Sequence, residues 1–347
     1  MAVASGDTHA YLYRDFAMQP DRTTIQRWHS QDIDEQSDML RGWEQEYRQL
    51  SCGKFLGTVS TVQGPRITIV GEQTNQSLHE SVVPPEDSLV FGLVLNRDNA
   101  LQVDRRTVST SSLIVMEGGR EYDFRTEGST QLLGVAMESS MFTGQDGGYN
   151  GVVQRALTQN VVPLAPAATM MLRHFWLMMS QILQNDDTWP ASMPMSLLAD
   201  TALNNILLAL NMSTMQEAVP LPQSADRQAR VVRQAIRYMS RNLDRNFTIA
   251  DVCAATHVSQ RTLQYHFEHC LDMSPQQYLK AMRLNAARSL LRNQGASRTK
   301  YPPSIAEVAA QCGYDHPSRF AGDYKRQFGV LPSETLRQAA QAGVAIP

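Results

Sequence analysis

The chain has 347 residues, 42% of them apolar and 19% charged, with a net charge of -3, and a length like this divides into two or three domains that can each bury a core. That balance excludes disordered, collagen-like and coiled-coil chains, and no apolar run approaches the roughly 18 residues that a membrane-spanning helix needs. Four cysteines, at 52, 253, 270 and 312, form no CxxC pair and the eight histidines are scattered, so zinc-finger and zincin readings fall away as well.

Residues 1–30 lack periodicity and read as a loosely held leader. Met1 to Ala10 shows no basic cluster followed by an apolar stretch, so the expectation is a cytoplasmic protein with no membrane partner. In Gln36 to Leu50, Met39, Trp43, Tyr47 and Leu50 fall on one stripe, which predicts a helix. From Phe55 to about Met137 the chain turns to short β-branched and apolar runs: Thr58 to Val62, Ile67 to Val70, Leu89 to Leu95, Leu113 to Met116 and Gln131 to Ala136. Turn signals separate them, among them Gly64-Pro65, Pro84-Pro85, Asn96 to Asn99 and Gly118-Gly119. Such a pattern predicts a small antiparallel β sandwich or barrel.

Helical periodicity returns at Ala167 to Gln184, where Leu172, Trp176, Met179 and Leu183 share a face, and again at Ser196 to Asn211. Eight of the 17 methionines lie between Met170 and Met215; adaptable Met suits either an ordinary core or a subunit interface. Glu217 to Ser224, with Pro220 and Pro222, reads as a linker. The expected organisation is a leader over 1–30, a β domain over 31–160, a helical segment over 161–215, a linker over 216–225 and a basic module over 226–340.

The modest net charge hides a sharp division. Asp226 to Pro347 carries 17 Lys or Arg against 9 Asp or Glu, a balance of +8, which leaves 14 against 25, or -11, for the rest. A basic module joined to an acidic one is the pattern of a nucleic-acid-binding domain attached to something else, although solvated Arg-rich helices would give it too.

Sequence pattern decides between them, because the basic module contains itself twice. Thr248 to Val258 matches Ser304 to Tyr314 at an offset of 56 residues. Thr248 with Asp251, and Ser304 with Glu307, have capping-box spacing, and Ala250 and Ala254, or Ala306 and Ala310, allow a second helix to cross closely. His257 stands at the first turn and Gly313 at the second; glycine takes a left-handed backbone freely, so strain is expected at His257. Ser259 then caps a helix that buries Leu263 and Phe267 and turns Arg261, Tyr265 and Glu268 outward, with Thr262 and Gln264 on its flanks. In the second copy His316 or Asp315 caps, Pro317 fills the first turn, and Phe320, Tyr324 and Phe328 form the buried stripe, leaving Ser318, Arg319, Gly322 and Lys325 facing away. Each pair is a predicted helix-turn-helix whose second helix fits a major groove. Ser274-Pro275, with Gln277 closing another capping box, opens a long helix ending near Arg292. Its length of about 27 Å can hold two recognition helices about one DNA turn apart, roughly 34 Å.

These residues resemble the AraC/XylS family of bacterial transcription regulators. The resemblance rests on Val258 to Phe267, on Ser274-Pro275 with Arg283-Leu284, on Ser304 to Ala309, and on Phe328 to Glu334, and it covers about 230–337. Trp43 to Gly57, containing Tyr47, Gln49-Leu50 and Gly53-Lys54-Phe55, and Glu117 to Gly119 are similar to the cupin-like sensor found in relatives of the ethanolamine-utilisation regulator. The resemblance implies an α+β chain: an N-terminal cupin-like β sandwich or barrel with a helical dimerisation segment, then an all-α tandem helix-turn-helix domain. It also implies a sequence-specific regulator of a bacterial operon, activating through RNA polymerase, responding to a small-molecule effector and acting as a homodimer on double-stranded DNA, with no cofactor. The chain departs from the family in His257, where the first turn usually has Gly, in Ala321 and Gly322, where polar base-reading side chains are common, and in a longer connector over 293–303.

On this reading Arg261, Gln264, Tyr265, Ser318 and Arg319 are the base-contact candidates, Arg foremost because its fork matches guanine O6 and N7. Lys280, Arg283, Lys325 and Arg326 are phosphate candidates, each equally readable as a solvated charge. In the β domain Arg97, Arg106, Arg120 and Tyr122 are candidates to anchor an anionic ligand in an apolar pocket, or are strand-edge charges.

Two enzyme readings stand as alternatives, a metal-independent cupin-like enzyme and a DNA-repair protein carrying a helix-turn-helix beside a reactive Cys. A metal enzyme is disfavoured because His79 is the strand region's single histidine. Cys253 falls on the inward face of a short helix, where a thiol is packing, and Cys52 has no adjacent base. A purely structural protein would not require paired recognition helices. The expectation is therefore a protein that is not an enzyme and binds no metal.

Overall fold

The computed structural model describes residues 24–40, 42–98, 100–144, 148–185, 194–213, 223–243, 245, 247–296 and 303–342. In chain order, β1 (Thr24–Ser30) and α1 (Ile33–Asp38) precede β2 (Glu44–Gln49), β3 (Gly57–Gln63), β4 (Ile67–Thr74), β5 (Leu78–Val83) and β6 (Ser88–Arg97). There follow β7 (Leu101–Val103), β8 (Arg106–Thr107), β9 (Ser112–Glu117), β10 (Tyr122–Thr126) and β11 (Thr130–Glu138). A short 3-10 turn then leads to α2 (Gly151–Gln159), β12 (Val161–Pro163), α3 (Pro166–Asn185) and α4 (Met195–Met212).

The strands form two antiparallel sheets, one ordered β1-β3-β4-β11-β6-β9-β12 and the other β2-β5-β10-β7-β8. Alternate residues of the larger sheet face opposite ways. Val90, Val94, Ile114 and Met116 meet Val82, Val103, Tyr122 and Phe124 of the smaller sheet. Leu89, Phe91, Leu93, Leu133 and Val135 pack instead against Leu172, Trp176 and Met179 of α3 and against Ala202 and Ile206 of α4. Because β6 is covered on both faces, its burial is nearly continuous, which is why Leu89 to Leu95 reads as an unbroken apolar run. Trp176 satisfies its buried indole N–H by donating to the Leu133 carbonyl at 3.0 Å.

The helix expected over 36–50 is not formed. Its first residues end α1, Gly42 turns the chain at φ 81°, and Glu44–Gln49 pairs with β5 in register from Glu44 opposite Val83 to Gln49 opposite Leu78. A spacing of four residues satisfies a two-residue period as well as a helical one, so Trp43 and Tyr47 were compatible with either, and pairing with a neighbouring strand selects the sheet. The leader boundary also shifts: Thr24–Ser30 is an edge strand hydrogen-bonded along β3, and residues 1–23 lie outside the described residues. At the other end β12 adds to β9 beyond residue 160, so the sandwich extends past both expected boundaries. Most of the expected linker, 216–222, also lies outside the described residues, and 223–225 are already helical.

The remaining chain is helical: α5 (Gln223–Arg241), α6 (Ile249–Thr256), α7 (Gln260–Leu271), α8 (Pro275–Ala296), α9 (Ile305–Gln311), α10 (Pro317–Phe328) and α11 (Pro332–Ala342). It has two small cores joined by one helix. Tyr278, Leu279 and Met282 of α8 pack with Val252, Leu263 and Phe267 in the first, whereas Leu284, Ala287 and Leu291 pack with Val308, Phe320, Tyr324 and Phe328 in the second. At 22 residues, α8 is longer than expected and about 33 Å in length.

This helical domain lies on the outer face of the smaller sheet. His79 of β5 bridges the Tyr278 hydroxyl and, at 2.8 Å, the Asp123 carboxylate, and Arg125 of β10 donates to the Cys270 carbonyl at 3.2 Å. Asp32, the N-cap of α1, holds both Arg288 and Arg292 of α8.

Candidate nucleic-acid interface

Two local devices start each helix-turn-helix. The Asp251 carboxylate accepts from the Thr248 amide at 2.7 Å and from its hydroxyl at 2.8 Å. Glu307 accepts from the Ser304 amide at 2.6 Å while the Ser304 hydroxyl accepts from the Glu307 amide at 3.2 Å. These bonds favour the charged form, and both carboxyls are held below their ordinary range. Ser259 caps α7 by accepting from the Thr262 amide, and Ser274 and Gln277 cap the start of α8 reciprocally. At the head of α10 His316 is the N-cap residue and Pro317 follows it.

The turns behave as their residues demand. His257 is left-handed at φ 55° and ψ 37°, a conformation that costs a non-glycine residue about 1 to 2 kcal/mol. Gly313 sits at φ 76°, a left-handed backbone that favours glycine, and an added Cβ would lie 2.8 Å from Arg283 Cζ, so the Arg283 guanidinium would have to shift to admit it.

Both second helices bury the predicted stripes, Leu263 and Phe267 in α7 and Phe320, Tyr324 and Phe328 in α10. Arg261, Tyr265 and Glu268 are exposed on α7, with Gln264 half-buried; Ser318, Arg319, Gly322 and Lys325 are exposed on α10. The five base-contact candidates thus divide between two outward faces on the two sides of the α8 frame. Nothing lies within 4 Å of where a Gly322 Cβ would be, so α10 presents bare backbone where α7 presents side chains. Sequence reasoning missed His269, whose ring stacks on Tyr265 with the planes 6° apart; its spacing of four residues from Tyr265 on a helix was the available signal. Gln264 is engaged within the helix, donating to Glu268.

The phosphate candidates do not form one surface. Lys325 and Arg326 are exposed on α10, Arg326 lying 3.4 Å from Asp323. Lys280 is committed to Asp323 at 2.7 Å, a link from α8 to α10. Arg283 turns inward, with its guanidinium 5.5 Å from the Phe247 ring centre and donating to the Gly313 and Phe247 carbonyls at 3.4 and 3.5 Å. Its place is that of a tie between the two helix-turn-helix units.

In the β domain the four ligand candidates do not converge. Tyr122 is buried and its hydroxyl accepts from the Glu117 amide at 2.7 Å. Arg120 lies over the Tyr122 ring, 3.7 Å from Asp104, and Arg106 pairs with Val103 on an edge strand. Arg97 stands opposite Thr130 at the far end of β6 from Leu89, which pairs with Glu117. What the sandwich does hold, and sequence reasoning missed, is a pair of carboxyls withdrawn from solvent, Glu80 buried and Glu72 half-buried. Glu72 accepts from the Gln36 side chain at 2.9 Å and from the Tyr47 hydroxyl at 2.8 Å, Glu80 is buried on β5 beside Tyr47, and burial pushes both carboxyls upward. Their signal was inward strand position, two residues from Val70 and Thr74 and from Leu78 and Val82. A cleft of about 330 Å³ between the larger sheet and α3 is lined by Arg27, His29, Ser60, Glu72, Gln131 and Ser180. Cys253 packs at the edge of the first helical core and burial raises its thiol, and among the described residues no group of three or more His, Cys, Asp or Glu is placed to hold a metal. Among the described residues no helix is long and apolar enough to cross a membrane.

Residues 252–338 match the family model described as a helix-turn-helix domain. The chain is 40% identical over 108 residues to the "Probable thc operon regulatory protein" of Rhodococcus erythropolis, covering 31% of each chain. It is 32% identical over 105 residues to the XylDLEGF operon transcriptional activator of Pseudomonas putida, covering 30% of this chain and 32% of that one. The match therefore spans about a third of the length of these relatives. A crystal structure of a probable AraC family transcriptional regulator from Rhodopseudomonas palustris CGA009 is 35% identical, covers 32% of this chain and 97% of that one, and superposes with a TM-score of 0.29. By name these relatives are operon regulators. Residues 252–338 are thus a helix-turn-helix domain, and this third of the chain is similar in sequence to these operon regulators.

Proposed function

We propose that the chain is a sequence-specific, effector-responsive transcription activator whose two recognition helices enter two successive major grooves on one face of a duplex. The observation that carries this is the pair of outward polar faces, Arg261 and Tyr265 on α7 and Ser318 and Arg319 on α10, set on one α8 frame about as long as a DNA turn. Duplex binding by the full chain tests it. With roughly 6 to 10 phosphate contacts, affinity drops about 10³ to 10⁵-fold between 50 and 200 mM salt, and footprinting shows two protected grooves; a salt-insensitive isotherm refutes the reading.

The β domain is the sensor in this proposal, as its likeness to cupin-like sensors implies, with a small-molecule effector between or beside the sheets and RNA polymerase as the partner on the promoter, all in the cytoplasm. Thermal-shift screening against amino alcohols, amino acids and fatty acids tests for the effector. Dimerisation through 167–211 belongs to the same reading and has a physical basis. On α3, Met170, Leu177 and Met178 are exposed, and on α4 Leu197, Leu208 and Met212 are exposed, with Met170 at 73% and Leu197 at 59%. Both helices thus expose large apolar side chains opposite the face they bury, interspersed with His174, Thr201 and Asn204, and a protein contact surface would use such side chains. A second copy of the same helix pair supplies a matching apolar face.

A further inference from the structure

We propose that the loop leaving β2, residues 49–53, is a splint that sets where the second recognition helix stands relative to the first, with Gln49, Asn285 and Gln327 as positioning residues for DNA recognition. This rests on the reading above, that both helices enter one duplex.

The contact is made of buried main-chain and amide groups. The Gln49 amide donates to Asn285 Oδ1 and the Gln49 carbonyl accepts from Asn285 Nδ2, both at 3.1 Å, which fastens the loop to α8. The same loop then reaches α10. Gln327 Nε2 donates to the Gln49 and Ser51 carbonyls, each at 3.0 Å, while the Gln327 carbonyl accepts from Gln49 Nε2 at 3.0 Å and from the Gly53 amide at 2.9 Å. Gly53 presents that amide at φ 131°, a backbone region that glycine alone enters freely. Gln49, Gln327 and Asn285 are 1%, 6% and 8% exposed, so no water replaces a lost partner without reopening the contact. Two of these bonds end on the main chain of Gln327, in the last turn of α10, so the loop holds the helix itself and not merely a side chain. Arg288 adds a second fastening, clasped by Asp32 on one side and lying 4.7 Å from the Phe328 ring centre on the other.

The first unit is fastened separately, through Tyr278 to His79 of β5 and through the Cys270 carbonyl to Arg125 of β10. Since β2, β5 and β10 are neighbours in one sheet, both helix-turn-helix units are referenced to the same rigid surface. The outward faces of α7 and α10 stay exposed with the β domain in place. The docked arrangement is therefore open to DNA, and its effect is on separation and angle rather than on access.

The test begins with the full chain selecting duplexes from a randomised pool. Affinity is then measured for duplexes carrying both selected half-sites with one base pair inserted or removed between them, which rotates one half-site by about 35° and moves it about 3.4 Å. The wild type should lose about tenfold in affinity on either change, the size of a defect when one good base contact is lost. Gln327→Ala and Gln49→Ala should bind the original spacing more weakly yet discriminate the altered spacings by about twofold or less, while binding a duplex with only the first unit's half-site as the wild type does. A merely structural role would weaken all duplexes alike. Asn285→Ser reports on the same contact from α8 if Gln327→Ala does not fold. Unchanged spacing discrimination in the folded variants overturns the splint and leaves two-groove reading intact. A wild type that selects no duplex, or only single half-sites, overturns that reading and the splint with it.

Discussion

Asp34 sits in the first turn of α1, two residues from Asp32, which holds Arg288 and Arg292. Burial, reinforced by the Asp32 charge and only partly offset by Ser289, Arg292 and Arg288, pushes its carboxyl up to about 6 from 3.8. The folded state thus holds a proton that the unfolded chain gives up near pH 4. As pH rises from about 4 to 6 the unfolded state ionises first, so the wild type loses stability through that window, and the loss is complete above it. A shift from 3.8 to about 6 corresponds at most to about 3 kcal/mol; because Asp34 is half-buried, about 1 to 2 kcal/mol is the expected size after screening. Asp34→Asn keeps the shape and removes the ionisation. Its melting temperature, compared with that of the wild type at matched pH, should be equal at pH 4 and higher by a few degrees at pH 7.5, with the difference opening between pH 4 and 6. A difference that is the same at both pH values, or a variant less stable at pH 7.5, refutes the assignment of Asp34 as a half-buried carboxyl disfavoured in its charged form by its surroundings.

Three further outcomes are expected. Gly313→Ala should destabilise the second helix-turn-helix by about 1 to 2 kcal/mol in urea melts, because alanine resists the left-handed backbone while the Arg283 guanidinium shifts to admit the methyl group, whereas His257→Gly should be neutral or stabilising by up to about 1 kcal/mol; equal effects at the two turns would contradict the geometry. Arg261→Ala and Arg319→Ala should each relax base preference at one position, in different half-sites, by about 1 to 3 kcal/mol of discrimination, as read by repeating the duplex selection; unchanged preference in both rejects those contacts. Met170→Glu with Leu197→Glu should convert a dimer to a monomer in sedimentation of the full chain while circular dichroism stays unchanged, and a wild type that sediments as a monomer at micromolar concentration removes the premise.

The features legible in the sequence are those fixed by neighbours in the chain. Capping boxes at Thr248 and Ser304 and the left-handed turn at His257 depend on contacts spanning a few residues, and the apolar stripes of α7 and α10 show in helical spacing, so the linear order carries them. Strands β3, β4, β6, β9 and β11 were visible because the sandwich core crosses them, with β6 covered on both faces. The edge strand β1 and the polar-patterned β2 and β5 were not, since exposure or an interface with another domain places Gln, Arg, His and Glu where a core strand would have Val or Leu.

Repetition, read along the chain, already marks the last third as a tandem helix-turn-helix unit and shows which side chains of its second helices point outward, because helical periodicity decides outward direction without reference to anything distant. Tertiary structure alone decides which cations are free to meet phosphate and which are consumed internally. Arg283, Arg288 and Arg292 look like any exposed helical arginine until Phe247, Gly313 and Asp32 are brought beside them across tens to hundreds of residues. The same holds for Gln49 and Gln327, two neutral amides 278 positions apart that no local pattern relates. Only the docking of one domain on the other removes water from both and makes each the other's hydrogen-bond partner.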